Sequence, residues 1–494
     1  MKLRPLVLAF LAVLPLASAA DADLPDLARA TLAKATTFLR SLSAGGGYLW
    51  RYSADLTERA GEKKATATMI WIQPPGTPSI GMAFLRALEA TGDMHYLEAA
   101  LAAGIALADA QLESGGWDYS YDFDPKERLN WQRRGNPDRL DDAAFAKAKG
   151  LSIFDDDNTQ GAIRFLLALY DAAKGSQDPR LASCIDARDY ALTKMLEAQY
   201  PNGAFPQRWD GRPRKAADFP VTRASIPKDW AREWPHANYN AFYTLNDNAH
   251  RTCVETLLDA HHRLGNPSFR DAALRGGEFL LLAQLPEPQP VWAQQYNTRM
   301  EPDWARAFEP PCVTAGESVG ALRLLLDLWI EAGDTKWLKP IPPAIGWFER
   351  SAISPGKWAR MYELGTNKPI YGDRDGKIYH RLEDISEERR TGYSWQGDYG
   401  FPGFKSKYES VQADGREKAL ARRTKRPLSE KEKSSRMRKL DPDVEKIIAA
   451  LDDKGRWLTR GKPKKGDYTS SEWIETDVFI ANVAKLAEYL ELTH

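Results

Sequence analysis

The sequence predicts an all-α fold: an incomplete (α/α) toroid of about three to four helix pairs, with long loops forming a cleft at one end. Three observations predict it. A unit recurs along the chain: an amphipathic run, a Gly-containing turn, a second amphipathic run, then a loop holding Gln or an aromatic residue. Apolar residues follow helical spacing, and Gly92, Gly175, Gly265 and Gly333 stand just past the first runs. Gln111, Gln199 and Gln284 close the second runs at separations of 88 and 85 residues. Few segments alternate with period two, which argues against an all-β solenoid. The repeats are longer and less uniform than the units of an α-solenoid.

The first copy is TPSIGMAFLRALEATGD (77–93), then a helix to Gln111 and the loop SGGWDYSY. The second is NTQGAIRFLLALYDAAKG (158–175), then a helix to Gln199 and PNGAFPQRW. The third is NAHRTCVETLLDAHHRLG (248–265), then a helix to Gln284 and a loop with Trp292 and Tyr296. The fourth is GESVGALRLLLDLWIEAGD (316–334), followed by a run through Trp347. The expected organisation is a leader at 1–20, the toroid at 21–405, a charged surface segment at 406–447, and a helical segment at 448–494 packing back on the toroid.

Composition narrows the class. Lys2 and Arg4 precede an apolar run from Leu6 to Leu16, and Ala17-Ser18-Ala19 offers small residues for a peptidase. That pattern reads as a cleavable export signal, too short for an anchor, and implies a secreted or periplasmic protein. Of 68 basic residues the leader holds two and no acid, leaving 66 bases against 68 acids. Such balance argues against a nucleic-acid binder, and an acidic substrate would have to meet a local cluster of positive charge. Cys184, Cys253 and Cys312 cannot make a disulfide framework and fit no zinc spacing, so buried thiols are expected. A monomer without a membrane anchor is expected.

Successive helices alternate direction, so the first helix of every pair starts at the same end. The segments before those starts are WIQPPG, FDDD, TLND and PPCVTAG. Asp155, Asp156, Asp157 and Asp247 therefore face one rim. Single aspartates there could be helix N-caps, Asp157 and Asp247 being the candidates. Three adjacent carboxylates exceed what capping needs and favour a hard cation with oxygen ligands, such as Ca2+. The histidines form no HExxH pattern, which argues against zinc. Arg306, Arg360 and Arg374 lie among aromatics, Gly and Pro in loops. There arginine can grip a carboxylate in a planar fork and aromatics can stack on sugars. A basic, Trp-containing stretch between Gln207 and Asn246 reads equally as a cleft flap or a solvated loop.

The stretches FDDDNTQGAIRFL, LEAQYPNGAFPQ, YTLNDNAH, WARAFEPP…ESVG, WARMYELGTNKPIYGDRDG and ISEERRTGYSW resemble, in order, the family 10 pectate lyases. The resemblance spans roughly residues 65–400. WIQPPGTPSIGMAFLRALEATGD resembles a divergent branch. The resemblance implies an incomplete helical toroid that breaks polygalacturonate by calcium-assisted β-elimination. It places Asp155 and Asp247 at the metal, Arg374 as base, and Arg306, Arg360 and Asn246 at the substrate. An arginine base has an intrinsic pKa above about 12, so an alkaline optimum is expected. The alternatives are a glycoside hydrolase using Asp155 and Asp247 as acid and base, and a non-catalytic uronate-binding protein.

Overall fold

The computed structural model describes residues 23–135, 142–424, 426–463 and 466–493. The segment read as an export leader, 1–20, lies outside the described residues. None of the described helices is long and apolar enough to cross a membrane.

The chain folds as an all-α toroid. The four pairs read from the sequence are α2 (Thr77–Thr91) with α3 (Met94–Ala110), α5 (Asn158–Ala172) with α6 (Arg180–Ala198), α7 (Ala249–Leu264) with α8 (Pro267–Ala283), and α9 (Ala315–Ala332) with α10 (Ile341–Ser351). Between α3 and α5 lies one turn of helix, α4 (Asp142–Phe145). The first helices pack in sequence, α2 on α5, α5 on α7 and α7 on α9, as an inner row. Gly92, Gly265 and Gly333 end α2, α7 and α9 in the left-handed conformation, which a residue without Cβ adopts freely.

The row continues at both ends. α15 (Thr476–Glu491) lies against α2, with Phe479 edge-on to Phe84 at 6.1 Å between centroids. Its outer neighbours are α1 (Leu24–Ser41) and α14 (Glu430–Ala450). At the other end α12 (Phe401–Asp414) packs on α9, and Phe401 stacks on Phe348 of α10 at 4.2 Å. The short helices α11 (Glu387–Gly392) and α13 (Arg416–Ala421) flank α12. The described residues of 406–447 thus fall in α12, α13 and α14 and the turns between them.

Short antiparallel strands tie each inner helix to its own outer helix. The strand entering an inner helix pairs with the strand leaving the outer one. Thus β3 (Met69–Trp71) pairs with β4 (Ser120–Asp122), β5 (Ser152–Ile153) with β6 (Arg208–Trp209), and β7 (Tyr243–Thr244) with β8 (Gln295–Tyr296). In the fourth pair β9 (Cys312–Thr314) meets β11 (Met361–Glu363), with β12 (Pro369–Gly372) and β13 (Ile378–Tyr379) beyond it. β10 (Trp358–Ala359) pairs with β14 (Gln396–Gly397). By the same rule β1 (Arg51–Ser53), leaving α1, pairs with β16 (Glu472–Glu475), entering α15. The sheet order is β15 (Leu458–Arg460), β16, β1, β2 (Arg59–Ala60). Elements more than 400 residues apart therefore make one helix pair.

The glutamines have a structural task. Gln111 Nε2 donates to the Gly115 and Ala187 carbonyls, Gln199 Nε2 to those of Gly203 and Ala272, and Gln284 Nε2 to those of Pro290 and Pro340. Each joins the end of an outer helix to its own loop and to the next outer element, satisfying carbonyls that packing removes from water. Cys184, Cys253 and Cys312 are free and buried.

Candidate active site

Two loops of the same shape precede α5 and α7. Asp156 and Asp157 have φ of 51° and 59°, and Asp247 and Asn248 have φ of 48° and 61°. Asp and Asn tolerate this left-handed region better than other residues with a Cβ, though at a cost. Superposing Phe154 on Leu245 makes Asp155 equivalent to Asn246 and Asp156 equivalent to Asp247. Aligning FDDDN with LNDNA in this register singles out Asp156 from the three adjacent aspartates, although the resemblance placed only Asp155 and Asp247 at the metal.

One oxygen each from Asp155, Asp156 and Asp247 lies within 4.8 Å of the others. Asp155 is buried and accepts from Gln207 Nε2 (2.8 Å), Tyr119 Oη (3.2 Å) and Asn246 Nδ2 (3.2 Å). Asp156 accepts from Gln73 Nε2 at 2.8 Å, and Asp247 from Asn246 Nδ2 at 2.8 Å. Burial and then the Asp247 charge push the Asp155 carboxyl up to about 6, against the pull of Arg306. Burial, then Asp155 and Asp247, push Asp156 to about 7. The oxygens Asn246 Oδ1, Gln207 Oε1 and Gln294 Oε1 are buried without a hydrogen-bond partner among the described residues. Crowded carboxylates with raised pKa values and orphaned amide oxygens fit an oxygen-liganded divalent cation.

Neither aspartate expected as an N-cap caps. Asp157 stands at the N-cap of α5 in left-handed conformation with no side-chain bond to the helix's first N–H groups, and its carboxylate instead pairs with Arg164 in the second turn of the same helix. At α7 the N-cap is Asn248, not Asp247. The left-handed backbone withholds the extended geometry that a capping side chain needs.

The outer loops supply the rim by a rule of their own. An aromatic anchor holds each loop: the indole Nε1 of Trp117, Trp292 and Trp358 donates to the Leu107, Leu280 and Phe348 carbonyls at 2.8–2.9 Å. Two residues beyond the anchors Trp117, Phe205, Trp292 and Trp358 stand Tyr119, Gln207, Gln294 and Arg360. Arg360 Nη2 lies 3.2 Å from Glu317 Oε1 and 3.5 Å from Asp247 Oδ1, with its guanidinium 4.4 Å from the Tyr393 ring centre. Burial is the largest single influence and disfavours its charge, but Glu317, Tyr393, Asp247 and Glu309 together outweigh it and raise its pKa.

Arg306 is gripped through Nε and Nη2 by Glu309, which is itself buried. Burial again opposes the charge and Glu309 overrides it, so the Arg306 pKa is raised. Its field acts on both Asp155 and Asp156. Arg374 differs: its side chain is 60% exposed and its Nε and Nη2 donate to Glu388 at 2.8 and 3.0 Å. Arg306, Arg374 and Arg389 surround the Phe308 ring at 4.9, 5.6 and 4.6 Å. The structure thus links Asp155, Asp247, Asn246 and Arg360 by direct contacts, sets Arg306 within their field, and leaves Arg374 exposed beside Phe308.

The stretch between Gln207 and Asn246 is tied down at several points. Ala224 N donates to the Leu282 carbonyl and Ser225 N to that of Met300. Trp234 N donates to the Gly376 carbonyl, Trp234 Nε1 to that of Ala305, and Trp304 Nε1 to that of Ala231. It therefore braces the loops carrying Arg306 and Arg374. Sequence reading missed Gln73, Tyr119, Gln207, Glu309 and Glu317, and it did not separate Asp156 from Asp157. The loop register would have singled out Asp156, and the spacing from the anchors would have found Tyr119 and Gln207.

A family profile described as pectic acid lyase matches residues 111–357 and 352–402, together more than half of the chain. No individual curated protein matches. Among solved structures, the family 10 polysaccharide lyase from Cellvibrio cellulosa is 22% identical over 65% of this chain and 97% of that one, with a TM-score of 0.45. A variant of it in complex with trigalacturonic acid is 21% identical over 66% and 98%, also at 0.45. Cellobiose 2-epimerase from Bacillus thermoamylovorans is 13% identical over 94% and 98%, at 0.45.

Proposed function

The chain belongs to the pectic acid lyase family, and on that premise we propose that it is an exported enzyme cleaving polygalacturonate by β-elimination with the help of Ca2+. The observation that carries the reading is the Asp155–Asp156–Asp247 cluster facing the cationic pair Arg306 and Arg360. Asp155, Asp156 and Asp247 would hold the ion, with Asn246 and Gln207 as neighbouring amides. A divalent cation there offsets the three carboxylates and partners the carboxylate of the uronate being cleaved.

The reaction removes the proton at C5, α to the uronate carboxylate. The C4–O bond breaks and a C4–C5 double bond remains, while the leaving oxygen takes up a proton. Arg360, fixed by Glu317 and Tyr393, is suited to hold a uronate carboxylate as negative charge grows on it. For the proton acceptor, geometry favours Arg306 over the Arg374 expected from sequence. Glu309 locks the Arg306 guanidinium from one side, and Nη1 carries none of the bonds to Glu309. Arg374 is screened by water and bound to an exposed carboxylate. Both pKa values are raised in the free protein, so an alkaline optimum follows in either case.

The test is the ultraviolet absorbance of unsaturated product from polygalacturonate, with Ca2+ and then with chelator. A Ca2+-dependent rise is expected, lost in Asp156→Ala. New reducing ends without that absorbance would mean hydrolysis and would sink the proposal. The geometry weighs against an inverting hydrolase only: oxygens of Asp155 and Asp247 approach within 4.8 Å, closer than the ~6.5–9.5 Å that leaves room for an attacking water.

A further inference from the structure

The rim does not stop at the acidic cluster. Trp50 is two residues past Tyr48 in the loop leaving α1, the place that Tyr119 and Arg360 hold in their own loops. Its Nε1 donates to the Gln73 carbonyl at 2.8 Å, and its ring lies 5.8 Å from that of Trp71. Trp71 Nε1 in turn donates to Gln73 Oε1, and Gln73 Nε2 to Asp156. One glutamine therefore joins the cluster to a second concavity. That concavity, of about 510 Å³, opens where β15, β16 and β1 meet, and its lining includes Trp50, Arg51, Glu62, Arg460, Lys462 and Tyr468. The Glu62 charge reaches Asp156, so the two places share one field.

The chemistry of the wall selects a ligand. Trp50 is half-buried and presents an indole, while Arg460 is 89% exposed and Lys462 is exposed, both at the mouth. Arg51 is held against Glu475 at 3.3 Å. Arg460 reaches Glu472 through Nε at 3.4 Å but stays largely open to solvent, and Lys462 is exposed beside it. Aromatic surface next to two exposed cationic heads suits a sugar ring bearing a carboxylate. These residues lie outside the stretch 111–402 matched by the pectic acid lyase profile. The pocket is therefore built from a part of the chain that the family match does not cover.

We propose that this cavity is a distal subsite binding a uronate residue of the polymer a few sugars away from the bond that is cleaved. The proposal rests on the polyuronate reading above. It makes Arg460 and Lys462 determinants of chain-length preference, with no part in the chemical step.

The test compares wild type with Arg460→Ala/Lys462→Ala and with Arg460→Glu/Lys462→Glu on trigalacturonate, hexagalacturonate and polymer. Both positions are exposed, so the variants should fold. For the hexamer and polymer KM should rise about five- to tenfold in the alanine variant and further on charge reversal. The kcat values and the trimer kinetics should not move. Equal KM values for all lengths would overturn the subsite while leaving the lyase intact. Should wild type give no unsaturated product, the lyase reading fails, and titration with hexagalacturonate decides the cavity separately. Binding weakened in the variants supports it; equal binding, or none to wild type, removes it.

Discussion

Asp156 and Asp157 are neighbours with different work. Asp156 belongs to the carboxylate trio, whereas Asp157 pairs with Arg164, which also donates to Thr256 Oγ1. Asp156→Asn should remove most Ca2+ affinity and activity, while Asp157→Asn should lower stability by about 1 kcal/mol and leave Ca2+ affinity within a few fold. Calorimetric Ca2+ titration and a urea melt separate the two. The pH dependence follows from raised pKa values, about 6 for Asp155 and about 7 for Asp156. In the unfolded chain both ionise near pH 4. Between about pH 4 and 7 the cation-free folded protein binds more protons than the unfolded one, so their contribution to stability falls as pH rises. At pH 8 without Ca2+, Asp156→Asn should melt about 2–3 °C above wild type; at pH 5 the gap should shrink. Ca2+ binding should release protons below about pH 7, seen as a heat that varies with the buffer. Arg306→Lys should lower kcat about 10²- to 10⁴-fold, and Arg374→Ala less than tenfold; the reverse order would restore Arg374 as base. Sequence showed that the aspartates share a rim. It could not show which share an ion, because that depends on left-handed backbone angles and on hydrogen bonds from distant loops.

The helices themselves were plainly legible. Amphipathic spacing with Gly at the end of each run states where a helix buries one stripe and stops, and both signals are local. The short strands were hidden: two to four residues carry no readable alternation, and those that tie inner to outer helices pair with segments tens or hundreds of residues away. The glutamines sit between these cases. Their spacing marked the repeat, yet their task, two carbonyls each, needed the neighbouring helix to be in place. Gln199→Ala would leave the Gly203 and Ala272 carbonyls without that donor, at a cost of about 1–3 kcal/mol. Gln199→Glu should cost at least as much, since it supplies no donor and adds a charge. Chemical denaturation of both variants checks this, and an unchanged midpoint for either would show that other donors satisfy those carbonyls.

Across the whole molecule, the pairing of α1 with α15 was the least legible feature. The other repeats are consecutive in the chain, whereas this unit is split between positions more than 400 residues apart. Phe479 of α15 is buried against Phe84 and Trp457. Phe479→Ala should lower stability by about 3–5 kcal/mol as one cooperative transition, recorded alike by fluorescence and circular dichroism; two separated transitions would mean that the terminal pair melts independently. The same pairing also orders events in time. The four consecutive pairs can form from near neighbours, but α1 lacks its helix partner α15, and β1 has only β2 beside it, until β16 and α15 exist. Until then it exposes an apolar stripe and β1 an unpaired edge. Closing so long a loop adds only logarithmically to the entropy cost, so the delay is one of synthesis and search rather than of final stability. During that delay the half-made ring is the species most open to proteolysis and misassociation, and a chaperone holding α1 would act when the finished protein no longer needs it.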